Sequence, residues 1–315
     1  MQSVGMYVYS SLNNLINPGI APETHTQPLP TSDKNILVQW LGHASFLIKS
    51  AHLNIITDPV FSDLTMLFKR LQPSPISLNA IPQVDALVLS HNHRDHSDAF
   101  SLKLLQQHNP GITVHCPIGD GPWLKSLGFK IVREYSWWQS GSITATSTSS
   151  LMFLPTNHWS QRWLFDKNKS LWGSFMFEID GTYIYFGGDS AYGPHYEAIS
   201  KEFSSIDVAL LPIAPCEPHA WLSHSHLNAE YAGQAWLELG ARTMIPMHWG
   251  TFRFGIDYPM LAVERLQQWY NQLAPCVQQQ HVLQVLHPGQ YVEVISNYFE
   301  NSLYSNTHVQ NQQIK

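Results

Sequence analysis

Val84-Asp85-Ala86-Leu87-Val88-Leu89-Ser90-His91-Asn92-His93-Arg94-Asp95-His96 joins an apolar run to a cluster of histidines, and the architecture can be worked out from that junction. Its first half is apolar and rich in valine and leucine, the pattern of a buried strand. Its second half packs three imidazoles and one carboxylate into six residues. The polar cluster therefore begins where a strand ends. In open α/β sheets, ligands bind at that edge.

The spacing has a physical meaning. Along extended backbone, residues two apart point the same way, so His91 and His93 can grip one ion together. A helix is predicted next, with Ser97 or Asp98 as its cap and Phe100, Leu102, Leu104 and Leu105 on its apolar side. Asp95 and His96 lie at that turn and face a neighbouring point. One short segment can thus serve two adjacent metals. Imidazole and carboxylate together suit zinc and similar divalent ions. The plainer reading is a polar loop whose histidines bond water or cap a helix. Four ligand-type residues at this density favour the metal.

Further along the chain the pattern faintly repeats. Leu53-Asn54-Ile55-Ile56-Thr57-Asp58 and Tyr183-Ile184-Tyr185-Phe186-Gly187-Gly188-Asp189 both read as strands that run into aspartate. Each is followed at a distance by an Asp-led apolar run, Asp85 to Leu89 and Asp207 to Leu211. The echo suggests two similar halves forming two sheets with a shared ligand edge. More candidate ligands stand at the same kind of boundary: His158 in Pro155-Thr156-Asn157-His158-Trp159, Asp189, and His248 in Ile245-Pro246-Met247-His248-Trp249-Gly250. Singly, each reads as a hydrogen-bonded structural residue. Two ions, however, need roughly six or seven protein ligands, and the set supplies them.

Composition sets outer limits. With 315 residues, 44% of them hydrophobic, the chain can bury a large core. A net charge of −6 and the lack of a basic run argue against nucleic acid as a partner. Cys116, Cys216 and Cys276 are odd in number and form no CxxC pair. Reduced thiols and a cytoplasmic-type compartment are expected. There is no apolar run long enough to span a bilayer, and the start does not read as a secretory signal. Residues 1–35 read as an N-terminal arm, 36–296 as one domain and 297–315 as a polar tail.

The motif HxHxDH, followed by His158, Asp189 and His248, resembles the metallo-β-lactamase superfamily. Several stretches are similar to its branch of N-acylphosphatidylethanolamine-hydrolysing phospholipases D and their bacterial relatives: Trp40-Leu41-Gly42-His43-Ala44-Ser45-Phe46, Thr57-Asp58-Pro59-Val60-Phe61-Ser62, Ser90-His91-Asn92-His93, Leu171-Trp172-Gly173-Ser174-Phe175 and His248-Trp249-Gly250-Thr251-Phe252. The likeness spans about residues 36–255. It implies an α/β fold, an αββα sandwich of two central mixed sheets flanked by helices. It also implies two zinc ions per chain, with iron or manganese as other occupants. His91, His93 and His158 would hold one ion, Asp95, His96 and His248 the other, and Asp189 would bridge them. Asp58 would orient a ligand imidazole or the loop. Di-iron redox members of the superfamily carry glutamate at the position of His93, so histidine there favours zinc hydrolysis. Arg94 and Ser97 depart from the tyrosine and leucine common in relatives.

The implied activity is hydrolysis of a phosphodiester, most simply a phospholipid cut on the distal side of its phosphate, by a hydroxide bridging the metals. Two metals lower the pKa of water from about 15.7 toward about 7. Asp95 and Asp189 would act in the reaction, with His226 assisting the leaving group as an acid or positioning group. His224 is the alternative to His226, while His43 and His219 read as ordinary hydrogen-bonding residues. A soluble sugar-phosphate lactonase or small-molecule phosphodiesterase is the other enzymatic reading. A metal-binding protein without turnover is the non-enzymatic one. Trp137, Trp138, Trp159, Trp163, Trp172 and Trp221 are candidate pocket residues, and Arg94 can pair with a phosphate. Residues 61–71 read as a helix with bulky apolar side chains beside Lys69 and Arg70, suited to peripheral contact with a membrane. A homodimer is compatible with such a site, although no motif specifies one.

Overall fold

Apolar runs such as Ile36 to Leu41, interrupted by Gln39, and Ala86 to Leu89 are what strands covered on both faces require. The computed structural model of the protein describes residues 21–25, 35–66, 68–76 and 83–294. Among them are fourteen strands: β1 (Ile36–Gly42), β2 (Ser45–Lys49), β3 (Asn54–Thr57), β4 (Ala86–Val88), β5 (Thr113–Pro117), β6 (Ile131–Tyr135), β7 (Gln139–Ser142), β8 (Ser150–Leu154), β9 (Ser174–Ile179), β10 (Thr182–Phe186), β11 (Ile206–Pro212), β12 (Ala241–Met247), β13 (Val282–Leu283) and β14 (Tyr291–Val294). The helices are α1 (Ala99–His108), α2 (Gly121–Ser126), α3 (His195–Glu202), α4 (His219–Leu222), α5 (Ala229–Leu239), α6 (Leu261–Asn271) and α7 (Pro275–Gln280).

The strands form two mixed sheets of seven. One has the order β14-β1-β2-β3-β4-β5-β6 and the other β13-β12-β11-β10-β9-β8-β7. In the first, β3 to β6 are parallel. In the second, β10 to β13 are parallel. Successive side chains leave a strand on opposite faces, and the burial follows that rule. Phe46, Ile48, Ile55, Ala86 and Val88 join the core that also takes Phe175, Phe177, Ile184 and Leu210 of the second sheet. Leu47, Ile56 and Leu87 point the other way, onto Leu102 and Leu105 of α1 and Leu124 of α2. Ala232, Trp236 and Leu266 bring α5 and α6 against the second sheet. The order is helix, sheet, sheet, helix, the αββα sandwich expected. Burying each large apolar side chain contributes roughly 1.5–3 kcal/mol.

Asp98, not Ser97, caps α1, accepting from the N–H groups of Phe100 and Ser101. Ser97 Oγ instead donates to the carbonyl of His91 at 2.8 Å, folding the histidine loop back on itself. The expected helix over 61–71 is not formed by its described residues, which run as bends. Short polar side chains take over the backbone groups a helix would use. Arg70 N–H donates to Asp63 Oδ1 (2.9 Å), Phe68 N–H to Thr65 Oγ1 (3.0 Å) and Phe61 N–H to Ser101 Oγ (2.8 Å).

Residues 1–20 and 26–34 of the expected arm, and the whole expected tail, lie outside the described residues. Within the arm, His25 N–H donates to the Pro288 carbonyl at 2.8 Å, and Pro22 sits against Gly250. The three cysteines are free thiols, with Cys116 and Cys216 buried. Among the described residues no helix is long and apolar enough to cross a membrane.

Candidate metal centre

The ends of the parallel strands meet at one edge of the sandwich, and the two sheets bring their loops together there. Gly188 is one point of close approach. Its φ is +55°, and an added Cβ would lie 2.6 Å from the Cβ of Ser90, so glycine is needed on both conformational and steric grounds. Gly173 N–H donates to the Ser90 carbonyl at 3.0 Å, a further tie between the sheets. Three site residues other than glycine also hold positive φ: Asp58 (33°), His43 (54°) and His248 (66°). Such strain persists only where the surroundings over-determine it, and it concentrates at functional sites.

His91, His93 and His158 form one set. His91 Nε2 lies 2.8 Å from His93 Nδ1, and His158 Nε2 lies 3.2 Å from the same atom. Both contacts are within hydrogen-bond range, and the three nitrogens lie close enough together to hold one ion. Their far sides are fixed. His158 Nδ1–H donates to the Ser225 carbonyl at 2.8 Å. His91 Nδ1–H donates to Ser90 Oγ (2.9 Å), which donates to Asp58 Oδ2 (2.5 Å). These bonds fix the tautomers with the Nε2 lone pairs facing inward.

Asp95, His96 and His248 form a second set. His96 Nε2 and His248 Nε2 lie 3.5 and 3.6 Å from Asp95 Oδ2. His96 Nδ1–H donates to Asp58 Oδ2 at 2.7 Å, which again leaves Nε2 facing the centre. Asp189 stands between the sets. Its Oδ2 is 3.3 Å from His96, 3.8 Å from His158 and 3.6 Å from His226 Nδ1, while its Oδ1 is 3.2 Å from His248 Nε2. All seven ligand candidates read from the sequence therefore come together. Asp58 supports both sets from behind, as the resemblance implied.

The electrostatics favour cations. Burial pushes His93 and His226 down to about 4 and His91 and His158 well below their ordinary value, so these rings are neutral at pH 7 and keep their lone pairs. Burial also works against charge on His248, but Asp189 and Asp95 outweigh it and push His248 up to about 9. His96 is raised for the same reason. Burial would raise Asp189, but His248 and His96 hold it well below the usual carboxylate range. Positive charge is thus drawn to the Asp95–Asp189 side of the cluster. Buried His96 Nε2, His248 Nε2 and His226 Nδ1 lie within ion-pair distance of the Asp189 carboxylate, but neither they nor Asp189 Oδ1 makes a contact with hydrogen-bond geometry among the described residues. Orphaned polar atoms this deep are costly, and a bound divalent ion would satisfy them. The donor set therefore fits metal.

Sequence reasoning missed one member. His43 Nε2 lies 3.1 Å from Asp95 Oδ2, and its ring centroid is 3.9 Å from that of His248. It groups with Asp95, His96 and His248 as a candidate ligand. The only cue was its place in the quoted Trp40 to Phe46 stretch. His226 reaches the cluster, while His224 is exposed. His219 stacks against Tyr231.

The cluster floors a cavity of about 480 Å³, including its open part, with apolar walls from Trp159, Pro215, Leu222 and Phe254. Phe68 stacks on Phe254 at 5.8 Å. Of the six tryptophans expected at the pocket, only Trp159 lines it. Trp137 and Trp172 pack on each other, and Trp163 lies by Arg94, whose guanidinium is 5.5 Å from its ring. Trp138 and Trp221 are exposed. A tryptophan's place near a ligand in sequence does not say which way its ring turns.

Residues 53–249 match the family model of the beta-lactamase superfamily domain. The chain belongs to this superfamily. It is 31% identical over 236 residues to N-acyl-phosphatidylethanolamine-hydrolyzing phospholipase D 1 of Caenorhabditis elegans, across 71% of this chain and 66% of the worm protein. It is 33% identical over 286 residues to an uncharacterised protein of Mycobacterium tuberculosis, across 84% of this chain and 73% of that one. Among solved structures, Igni18, a metallo hydrolase of the archaeon Ignicoccus hospitalis, superposes with a TM-score of 0.63 at 20% identity, over 83% of this chain and 99% of that one. That likeness speaks to the superfamily fold. The histidine and aspartate cluster lies largely inside the matched span, with His43 just before it.

Proposed function

We propose that this superfamily member is a dinuclear zinc hydrolase that cleaves a phosphodiester, with a phospholipid as substrate, and that the 36–296 unit carries the activity. The observation behind the reading is the convergence of two donor sets on Asp189 beneath an apolar-walled cavity. The worm relative's name supports the choice of a phospholipase D-type phosphodiester over other esters. Imidazoles mixed with carboxylates suit zinc.

His91, His93 and His158 would hold one ion, and Asp95, His96 and His248 the other, with Asp189 shared. Bound there, two divalent ions supply Lewis acidity and an activated water near neutral pH. Asp58 keeps His96 and, through Ser90, His91 turned toward the centre. His226 is held neutral by burial. At pH 7 it therefore offers a ring N–H or lone pair to the reacting group and positions it, without a spare proton to donate. Trp159, Leu222 and Phe254 exclude water and give the lipid side of the substrate an apolar wall. The substrate is met at a membrane surface from the aqueous side, in a reducing compartment consistent with the free thiols.

The test is turnover of a phospholipid panel in detergent micelles, with metal content measured on the same sample and Asp189→Asn as control. Release of phosphatidic acid, about two zincs per chain and loss of both in the variant are the expected results. Two zincs without lipid turnover would move the assignment to a soluble lactone or small phosphodiester. No metal uptake after zinc reconstitution would end it.

A further inference from the structure

The apolar surface that the sequence suggested for residues 61–71 lies mainly elsewhere. Trp163, Leu164 and Phe165 are consecutive and stand 62%, 85% and 86% exposed. Single exposed apolar residues are ordinary, but three in a row at the tip of a loop mark an interaction surface. The loop is not loose. The N–H groups of Arg162 and Trp163 donate to Asp166 Oδ1 at 3.0 and 2.8 Å, and Gln161 Nε2 donates to the Trp163 carbonyl at 2.8 Å. Arg162 Nη1 donates to the Ser97 carbonyl at 2.7 Å, and the guanidinium lies 3.7 Å from the Trp123 ring. A turn pinned on its inner side thus presents its apolar tips outward.

The surrounding charge says what covers them. On a chain of net charge −6, exposed Arg94, Lys167 and Lys169 flank the tip, while Asp166 turns a carboxylate oxygen inward to its own loop. Apolar tips ringed by cations fit the interface of an anionic bilayer. The loop also belongs to the mouth of the site. Trp159, at its start, lines the cavity and meets the His93 ring at 4.2 Å.

We propose that the 163–165 tip is a docking surface for anionic lipid bilayers, which inserts beside the cavity and brings the bilayer to its opening. The proposal gains its purpose from the lipid-hydrolase reading, but the binding experiment stands apart from turnover. Full-length protein is sedimented with vesicles of phosphatidylcholine alone and of phosphatidylcholine mixed with phosphatidylglycerol. Wild type should bind the mixed vesicles more strongly, and raised salt should weaken that binding. Leu164→Ser/Phe165→Ser should lower partitioning about tenfold or more, with metal content unchanged as a check on folding. Lys167→Glu/Lys169→Glu should abolish the preference for anionic vesicles. In a Cys276→Ser background, an environment-sensitive dye on Phe165→Cys should shift to the blue on mixed vesicles. Wild-type protein that stays in solution would overturn the proposal, as would a double serine variant that binds undiminished. A dimer broken by the same variant, without vesicle binding, would make the tip a self-association surface instead. Vesicle binding without phospholipid turnover would leave the docking surface standing and remove the proposed substrate.

Discussion

The strand that ends near Asp58 and the strand that ends near Asp189 are one device built twice, with opposite uses. Asp85 Oδ2 accepts from the N–H of Asn54 at 2.8 Å, and Asp207 Oδ2 accepts from the N–H of Tyr183 at the same distance. In each half the two strands then run parallel. Asp58 N–H donates to the Val88 carbonyl, and Gly187 N–H donates to the matching Leu210 carbonyl. The equivalent of Asp58 is therefore Gly187, and Asp189 lies two residues further out. Asp58 is used up on protein donors, Ser90 N–H, Ser90 Oγ and His96. In the second half the position of Ser90 falls on Pro212, which offers neither N–H nor hydroxyl. Gly187-Gly188 carries the carboxylate past the strand end, and it meets four imidazoles. A local motif sets where a carboxylate leaves the sheet, and the neighbouring loop decides whether protein donors take it up or it faces the imidazole cluster.

The comparison breaks most sharply at Asp189. Asp189→Asn should lower turnover about a thousandfold or more and lose metal, as turnover and metal analysis would register. A variant that kept both would place Asp189 among the structural aspartates. Asp58→Asn should act through the ligands it holds. Metal affinity should fall about 10- to 100-fold, measured by competition with a chelator, and unchanged affinity would reduce Asp58 to a folding role. His43→Ala should give a smaller loss, about tenfold, confined to one of two ions in a stepwise titration. Loss of both ions together would mean His43 holds the whole cluster.

The mildest effects belong to the aspartates that start the second strand of each half. Asp85→Ala and Asp207→Ala should each cost about 1 kcal/mol, read from urea midpoints, and a large inequality would deny the equivalence. Asp207 adds a pH signature. Burial raises its pKa from 3.8, against the pull of the Tyr183 N–H. Its contribution to stability is therefore full below 3.8 and declines as pH rises through the raised value. Asp207→Asn cannot ionise, so its stability relative to wild type should improve between pH 3.5 and pH 7. A constant difference across that range would contradict the raised pKa.

Much of the site was legible because its chemistry is local. Three histidines and an aspartate in six residues, an aspartate after two glycines, and a histidine after an apolar strand are readable without a fold. The buried strand before His91 and a helix capped at Ser97 or Asp98 follow from the same short-range rules, and the structure settles the cap on Asp98. His43 was not legible, because its ring reaches Asp95 only once the turn between β1 and β2 packs beside His248. The choice of His226 over His224 came from the resemblance and not from the residues themselves. Neighbouring positions in a loop carry no periodicity, and the N–H of His226 bonding to the Leu222 carbonyl sets its direction. Over 61–71, residue composition suggested a helix, but Asp63 and Thr65 found backbone partners of their own. Phe254 and Pro215 came to the cavity from far along the chain without any motif.

Short-range pattern carried the strands before Asp58, His91, Asp189 and His248, the capped helix and the donor types at those strand ends. Each depends on backbone sterics, alternation of side chains and donor chemistry within a few residues. Long-range contacts set the rest: donors from His43 to His248 gather in one cluster, Asp189 faces them while Asp58 stands behind, and the apolar tip beside the site is Trp163 to Phe165. Those facts rest on how two sheets pack, and the packing of distant surfaces is not written in the spacing of neighbours.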